Sequence, residues 1–200
     1  TAAGTYTVMV KASATTNYLA ASKEVSLQIN NAEITGVSFT NDVVTYDGKA
    51  HGVYVKNLSE GATVTYDNNE QTEAGTYTVT ATISQENFRD KVFTAELVIE
   101  KAPQQITFDE LPVKHLEQDS DFELDASTSS GLPVSYTYTY TQEEPAAVVS
   151  ENGIVSLLNS GVLEITATQN GNANYLEATP ITRTLKVNSN DSSVNKVVIN

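Results

Sequence analysis

The sequence predicts an all-β chain of tandem antiparallel β-sandwiches, and three observations carry that expectation. A glycine-led alternating segment recurs three times. Short apolar-polar alternations follow one another at intervals of about 8–12 residues, the spacing of sandwich strands. No segment shows the apolar stripe of a helix. The composition agrees, since Thr and Val are the commonest residues and Tyr outnumbers Phe, while Trp and Cys are absent and Met occurs once, at Met9; Thr, Val and Tyr are strand formers.

Ala3-Gly4-Thr5-Tyr6-Thr7-Val8 recurs identically as Ala74-Gly75-Thr76-Tyr77-Thr78-Val79, with a looser copy at Ser160-Gly161-Val162-Leu163-Glu164-Ile165. Each copy continues through an Asn-aromatic pair (Asn17-Tyr18, Asn87-Phe88, Asn174-Tyr175) to a second alternating strand: Val25–Ile29, Ala95–Ile99 or Arg183–Val187. Period-2 alternation puts Tyr6 with Val8, Tyr77 with Val79 and Leu163 with Ile165 on one face, expected to be core, with Thr76 and Thr78 outward. The repeated unit is thus the last two strands of a sandwich. Residues 1–30 hold only that unit, so they read as the C-terminal strands of a truncated module. An isolated strand pair is marginal in water, so it has to pack on a neighbour or borrow a strand, for which Val194–Ile199 is a candidate.

Ahead of the second copy the strand candidates are Gly36–Phe39, Val43–Tyr46, Val53–Val55 and Ala62–Tyr66, separated by turn chemistry at Asp47-Gly48, Glu60-Gly61 and Asp67-Asn68-Asn69. Ahead of the third they are Gln105–Phe108, Phe122–Leu124, Val134–Thr141, Ala147–Ser150 and Ile154–Leu157. Asn152-Gly153 between the last two predicts a type I′ hairpin. Two hundred residues suit about two modules of ~100 residues. The expected division is residues 1–30, 31–102, 103–188 and a tail, 189–200, that offers an extra strand. Pro103, in the joint Glu100–Gln104, should restrict the angle between modules.

With 11 Lys and Arg against 25 Asp and Glu, the net charge of −14 repels phosphate and anionic headgroups. Nucleic acid is therefore not an expected partner, nor is direct membrane insertion, because no apolar run approaches a membrane span. Without Cys, each module relies on its apolar core. The chain opens at Thr1 in mid-pattern, so any leader or anchor would lie outside it.

Residues 34–102, with Tyr46-Asp47-Gly48-Lys49-Ala50-His51 and Ala74–Val79, resemble the MBG-type bacterial immunoglobulin-like repeat. Residues 103–187, with Gln105–Phe108, Ser130-Gly131-Leu132-Pro133-Val134 and Gly171-Asn172-Ala173-Asn174-Tyr175, resemble a related immunoglobulin-like repeat. The resemblance implies immunoglobulin-like sandwiches in a multi-repeat, extracytoplasmic surface or secreted protein of the adhesin kind. It brings no catalytic residues.

The only histidines, His51 and His115, lie near no nucleophile elbow and are expected in loops or at strand edges, so the chain reads as no enzyme and needs no cofactor. Asp109, Asp119 and Asp121 are weak calcium candidates, but the EF-hand pattern fails where Leu124 stands in place of its turn glycine. Val134, Tyr136, Tyr138 and Tyr140 share one parity. Either they fill the core and cap one end of the sandwich, the ordinary reading, or Tyr138 and Tyr140 form an exposed platform for a neutral glycan or a host or cell-surface protein. The function expected is a structural or adhesive module, the alternative a carbohydrate-binding accessory domain.

Overall fold

The computed structural model describes residues 2–189. Every regular element among them is a β-strand, and the chain divides into two compact units between Glu100 and Lys101.

The first unit contains β1 (Gly4–Ala12), β2 (Ala21–Ile29), β3 (Ala32–Glu33), β4 (Asp42–Thr45), β5 (Thr63–Asp67), β6 (Gly75–Ser84), β7 (Phe88–Arg89) and β8 (Lys91–Glu100). Its main sheet runs β4-β8-β6-β5. The pairing is antiparallel except at β4, which lies parallel to β8. Alternation on β6 and β8 sends Val79, Ala95, Leu97 and Ile99 inward, where Phe39, Val44, Tyr46, Val53 and Tyr66 pack with them. Thr76 and Thr78 face out and Tyr77 is half-buried against this core, as the parity predicts.

The second unit contains β9 (Ile106–Phe108), β10 (Lys114–His115), β11 (Phe122–Glu123), β12 (Ala126–Thr128), β13 (Ser135–Thr139), β14 (Ala147–Val149), β15 (Ile154–Leu157), β16 (Gly161–Thr168) and β17 (Ile181–Asn188). Its main sheet, β10-β17-β16-β13, repeats the plan of the first: a short strand parallel to the last, then the last, its long antiparallel hairpin partner, and an antiparallel edge strand. Leu163, Ile165, Ala167, Leu185 and Val187 are buried, and Phe108 and Val155 join them from the other sheets and Leu124 from the segment after β11.

The repeated hairpin keeps one register throughout. Gly4 faces Ile29, Gly75 faces Ile99 and Gly161 faces Val187; two residues on, Tyr6 faces Leu27, Tyr77 faces Leu97 and Leu163 faces Leu185. In the first two copies the tyrosine folds back over its glycine. Tyr6 donates to the Ala2 carbonyl at 2.6 Å and Tyr77 to the Glu73 carbonyl at 2.9 Å, each four residues back.

Several expectations need correction. The core face assigned to β1 is only half-buried at Tyr6 and is exposed beyond it: Val8 is 42% exposed, and Val10, Val25 and Leu27 are exposed with it. Period-2 alternation defines a face, but only packing across it defines a core. Nor does the β1–β2 pair gain a third strand among the described residues. The link seen from its start is the Ala3 amide donating to Asn87 Oδ1 at 2.7 Å. The candidate partner Val194–Ile199 lies outside the described residues, as does the tail from residue 190.

Gly36–Phe39 and Val53–Val55 are not strands; isolated bridges, Ser38 to Lys56 and His51 to Gln71, hold these segments instead. His115 lies in β10 rather than in a loop. The β14–β15 hairpin forms as expected, but positive φ falls on Gly153 (86°) and not on Asn152. The Gly153 amide donates to the Ser150 carbonyl at 2.9 Å and the Ser150 amide to the Ile154 carbonyl at 2.9 Å. This is a type I turn followed by a glycine bulge, the usual three-residue alternative to type I′.

Candidate functional site

β13 is the edge strand of its sheet, paired only with β16, so one of its long sides lacks a described partner. Ser135, Thr137 and Thr139 point to solvent, while Val134, Tyr136 and Tyr138 are half-buried against the core. The strand ends at Thr139, which frees Tyr140 from the alternation, and it is 43% exposed.

The three tyrosines therefore do different work. Tyr136 is structural: its ring packs edge-on against Phe108 at 6.0 Å, and its hydroxyl accepts from the Ala126 amide at 3.1 Å and donates to the Leu124 carbonyl at 3.3 Å. Burial pushes its phenol above the ordinary pKa of 10.0, partly offset by the Ala126 hydrogen bond. Tyr138 and Tyr140 lie nearly parallel, 20° between planes and 6.5 Å between centroids. Stacked rings at a strand end, one of them exposed, present an apolar face with phenolic hydroxyls at its margin. Such a surface can stack on the C–H face of a sugar or on an apolar protein patch.

The calcium candidates are not gathered. Asp119 accepts from the His115 amide at 2.7 Å and lies 3.8 Å from Lys114 Nζ. Asp121 accepts from the Ser156 hydroxyl at 2.7 Å and the Leu157 amide at 3.2 Å. Asp109 is exposed in the segment after β9. Asp119 ties its own loop and Asp121 ties its segment to β15, and among the described residues no group of three or more His, Cys, Asp or Glu is placed to hold a metal ion.

His51 Nε2 lies 2.8 Å from Asp47 Oδ1, and Asp47 also accepts from the Lys49 amide at 2.9 Å. These two bonds, the histidine's first, hold the Asp47 carboxyl below the ordinary 3.8. The arrangement closes a turn; no nucleophile adjoins it in the hydrogen-bond pattern.

An aromatic pair common to both units was not legible in the sequence. Tyr66, opposite Ala81, and Tyr136, opposite Ala167, hold equivalent places on the edge strands β5 and β13. Tyr66 lies 6.1 Å from Phe39, as Tyr136 lies 6.0 Å from Phe108, and its hydroxyl accepts from the Val55 amide at 2.8 Å. The stretch from the tyrosine to the repeat glycine is much longer in the second unit, which hides the correspondence from spacing.

Comparison with known proteins gives a partial match. No curated protein matches the chain significantly. Among solved structures the chain is similar to human protocadherin-24 EC1-2, 14% identical, covering 77% of this chain and 98% of that one with a TM-score of 0.32. It is similar also to Drosophila N-cadherin EC1-4 (14% identical, 92% and 58% covered, TM-score 0.33). A third likeness is to the fibronectin(III)-like modules of Clostridium thermocellum CbhA (10% identical, 77% and 95% covered, TM-score 0.31). A family model described as MBG domain matches residues 35–103, which is less than half of the chain. Those residues enclose β4, β5, β6, β7 and β8, so the likeness to the MBG domain falls on the module built on the second copy of the hairpin.

Proposed function

We propose that the chain is a non-catalytic structural and adhesive segment of a bacterial multi-repeat protein, displayed at the cell surface or secreted. One observation carries this reading: the same hairpin, in the same register, is used three times in 200 residues. Serial reuse of one frame, with a core in each unit and no disulfide, suits a chain that spans distance and presents surfaces. The direct test is to raise antibody to the chain and label intact cells and culture supernatant. Labelling that requires lysis overturns the reading.

The stacked Tyr138 and Tyr140 favour a second, more specific reading: recognition of a neutral glycan or a host or cell-surface protein at the free end of β13. The net charge of −14 disfavours acidic partners, so stacking and hydrogen bonding would supply the affinity. A glycan array and a panel of matrix proteins, probed with the chain and with the Tyr138→Ala/Tyr140→Ala double variant, test it. Binding lost in a folded double variant supports the site. Binding retained in that variant moves recognition elsewhere.

A further inference from the structure

The bridge between Ser38 and Lys56 is an antiparallel pair: the Lys56 amide donates to the Ser38 carbonyl at 2.8 Å and the Ser38 amide to the Lys56 carbonyl at 3.1 Å. Continued in the same register, it would set Thr40 against Tyr54 and Asp42 against Gly52. It is not continued. Among the described residues no backbone hydrogen bond joins those positions. Each segment has taken another partner instead. Asp42 opens β4 and pairs with Leu97 on β8, and Val53 is clamped by the Asn69 side chain, whose Oδ1 accepts from its amide and whose Nδ2 donates to its carbonyl, both at 2.9 Å. Where the ladder would have run there is a cavity of about 190 Å³, lined by Thr40, Asn41, Asp42, Tyr54 and Lys56.

Alternation along 53–55 turns Val53 inward, 4% exposed, and leaves Tyr54 outward, 51% exposed. The exposed ring is nonetheless held in place. It meets Tyr66 edge-on at 5.7 Å and 80°, and its hydroxyl donates to the Glu70 carboxylate. Glu70 has φ 61°, the left-handed region that residues other than Gly, Asn and Asp enter at a steric cost. A Cβ on Gly52 would lie 2.8 Å from Asn69 Oδ1 and 2.9 Å from the Tyr54 hydroxyl, so the close approach of these groups needs glycine there. An exposed aromatic ring fixed beside a cleft by a strained residue is the construction of a preorganised binding surface.

The other walls are polar. Asn41 Oδ1 accepts from the Glu96 amide at 2.8 Å, which leaves its NH2 to donate, and Asp42 Oδ1 accepts from the Val43 amide at 3.0 Å, which leaves Oδ2 to accept. Thr40 and Lys56 add a hydroxyl and an ammonium group. An anion would meet Asp42 and a cation Lys56, so a neutral occupant suits both. At about 190 Å³ the cavity is smaller than the roughly 300–1,000 Å³ of clefts that bury drug-sized ligands, and it has room for one ring. One apolar face, hydroxyls around the rim and no net charge describe a neutral pyranose.

We propose that this cleft binds a single neutral pyranose ring, stacked on Tyr54 and hydrogen-bonded by Asn41, Asp42 and Lys56. The site lies in the first unit and does not rest on the stacked tyrosines of the second.

The probes are methyl β-D-glucopyranoside and methyl β-D-galactopyranoside, titrated separately into the full chain and followed by amide NMR. At least one should give saturable shifts centred on residues 40–42 and 52–56, with a millimolar Kd. Glycerol, which has hydroxyls but no ring, and cyclohexanol, which has a ring but one hydroxyl, should not. Tyr54→Ala should weaken binding about tenfold through loss of the apolar face. Asp42→Ala should weaken it about tenfold as well, since hydrogen bonds to a charged group are the stronger kind. Both side chains are exposed, so these variants keep the fold, and unaltered methyl signals of Leu97 and Ile99 check it. The Tyr138→Ala/Tyr140→Ala double variant should bind undiminished. Cellobiose or lactose bound at the same residues makes the source a glycan end, and their exclusion makes it a free sugar; both uphold the site. The proposal is overturned by no saturation with either glycoside through the millimolar range, by saturation that survives Tyr54→Ala, or by the same shifts with glycerol or cyclohexanol. Shifts confined to Tyr138 and Tyr140 overturn it too, and leave recognition to the second unit alone.

Discussion

Leu27 and Leu97 stand at the same place in the same hairpin, each facing a tyrosine that follows an identical Ala-Gly-Thr. One is 50% exposed and the other 0%. The difference owes nothing to the hairpins themselves. It comes from a cap formed by Phe39, Val53 and Tyr66, which lie across β6–β8 and have no counterpart over β1–β2 among the described residues. The comparison separates what a strand pair does alone from what a sandwich adds. Alone it sets register, alternation and the tyrosine's return over its glycine; the sandwich adds dehydration of one face, where the large stabilisation lies.

The sharpest way to break this comparison is to truncate both leucines. Leu97→Ala should cost about 2–5 kcal/mol, as large-to-small changes in cores do. Leu27→Ala should stay within about 0.5 kcal/mol, the range of exposed sites. Chemical denaturation followed by a probe in the first unit reads both, and equal costs would mean that the β1–β2 face is covered in solution. Next in size are the hydroxyls that exist only where a cap exists. Tyr66→Phe and Tyr136→Phe each leave a backbone amide, Val55 or Ala126, without its acceptor. Each should cost about 1–3 kcal/mol, and a neutral result would show that the cap is held by apolar contact alone.

A smaller and deliberately equal effect is expected of Tyr6→Phe and Tyr77→Phe. Both remove an exposed hydrogen bond to a carbonyl four residues back, worth about 1 kcal/mol or less. If Tyr77→Phe proved much the costlier, the tyrosine's return would depend on the sandwich after all. Smallest is the pH response of the turn at Asp47, which belongs to the cap segment. Its carboxyl is held below the ordinary 3.8, first by the His51 hydrogen bond and then by the Lys49 amide. A depressed carboxyl contributes stability that is present above its unfolded pKa and is lost as pH falls through its lower folded value. The turn should therefore keep its contacts down to about pH 4 and loosen only below it. Carbon-detected titration should place the Asp47 midpoint under 3.8 and move it upward in His51→Ala; a midpoint at or above 3.8 in the unsubstituted chain would contradict the arrangement.

Much of the fold was legible in the residues. The all-β class, the three hairpins and the inward set on β6 and β16 follow from alternation and repetition, because each strand's pattern lies within itself. The MBG resemblance at residues 34–102 rested on Tyr46–His51 and Ala74–Val79, and the family match covers 35–103. The candidate site was only half legible. Parity joined Tyr136, Tyr138 and Tyr140, but the end of β13 at Thr139, which turns one into core, one into a rim and one into an exposed ring, depends on pairing with β16. Likewise the turn at Asn152-Gly153 was located correctly and typed wrongly, since type I′ and a type I turn with a bulge share the same residues and differ in how the flanking strands meet.

By itself the sequence determined which residues share a face. The period of two forbids a one-residue slip, and the equal placing of Gly4, Gly75 and Gly161 opposite Ile29, Ile99 and Val187 then follows one pattern in all three hairpins. Only the tertiary structure decided burial. The alternation of Tyr6 and Val8 is the same as that of Tyr77 and Val79, yet Val79 is buried and Val8 is not, because dehydrating a face requires atoms from distant parts of the chain, and no local pattern states whether those atoms are present.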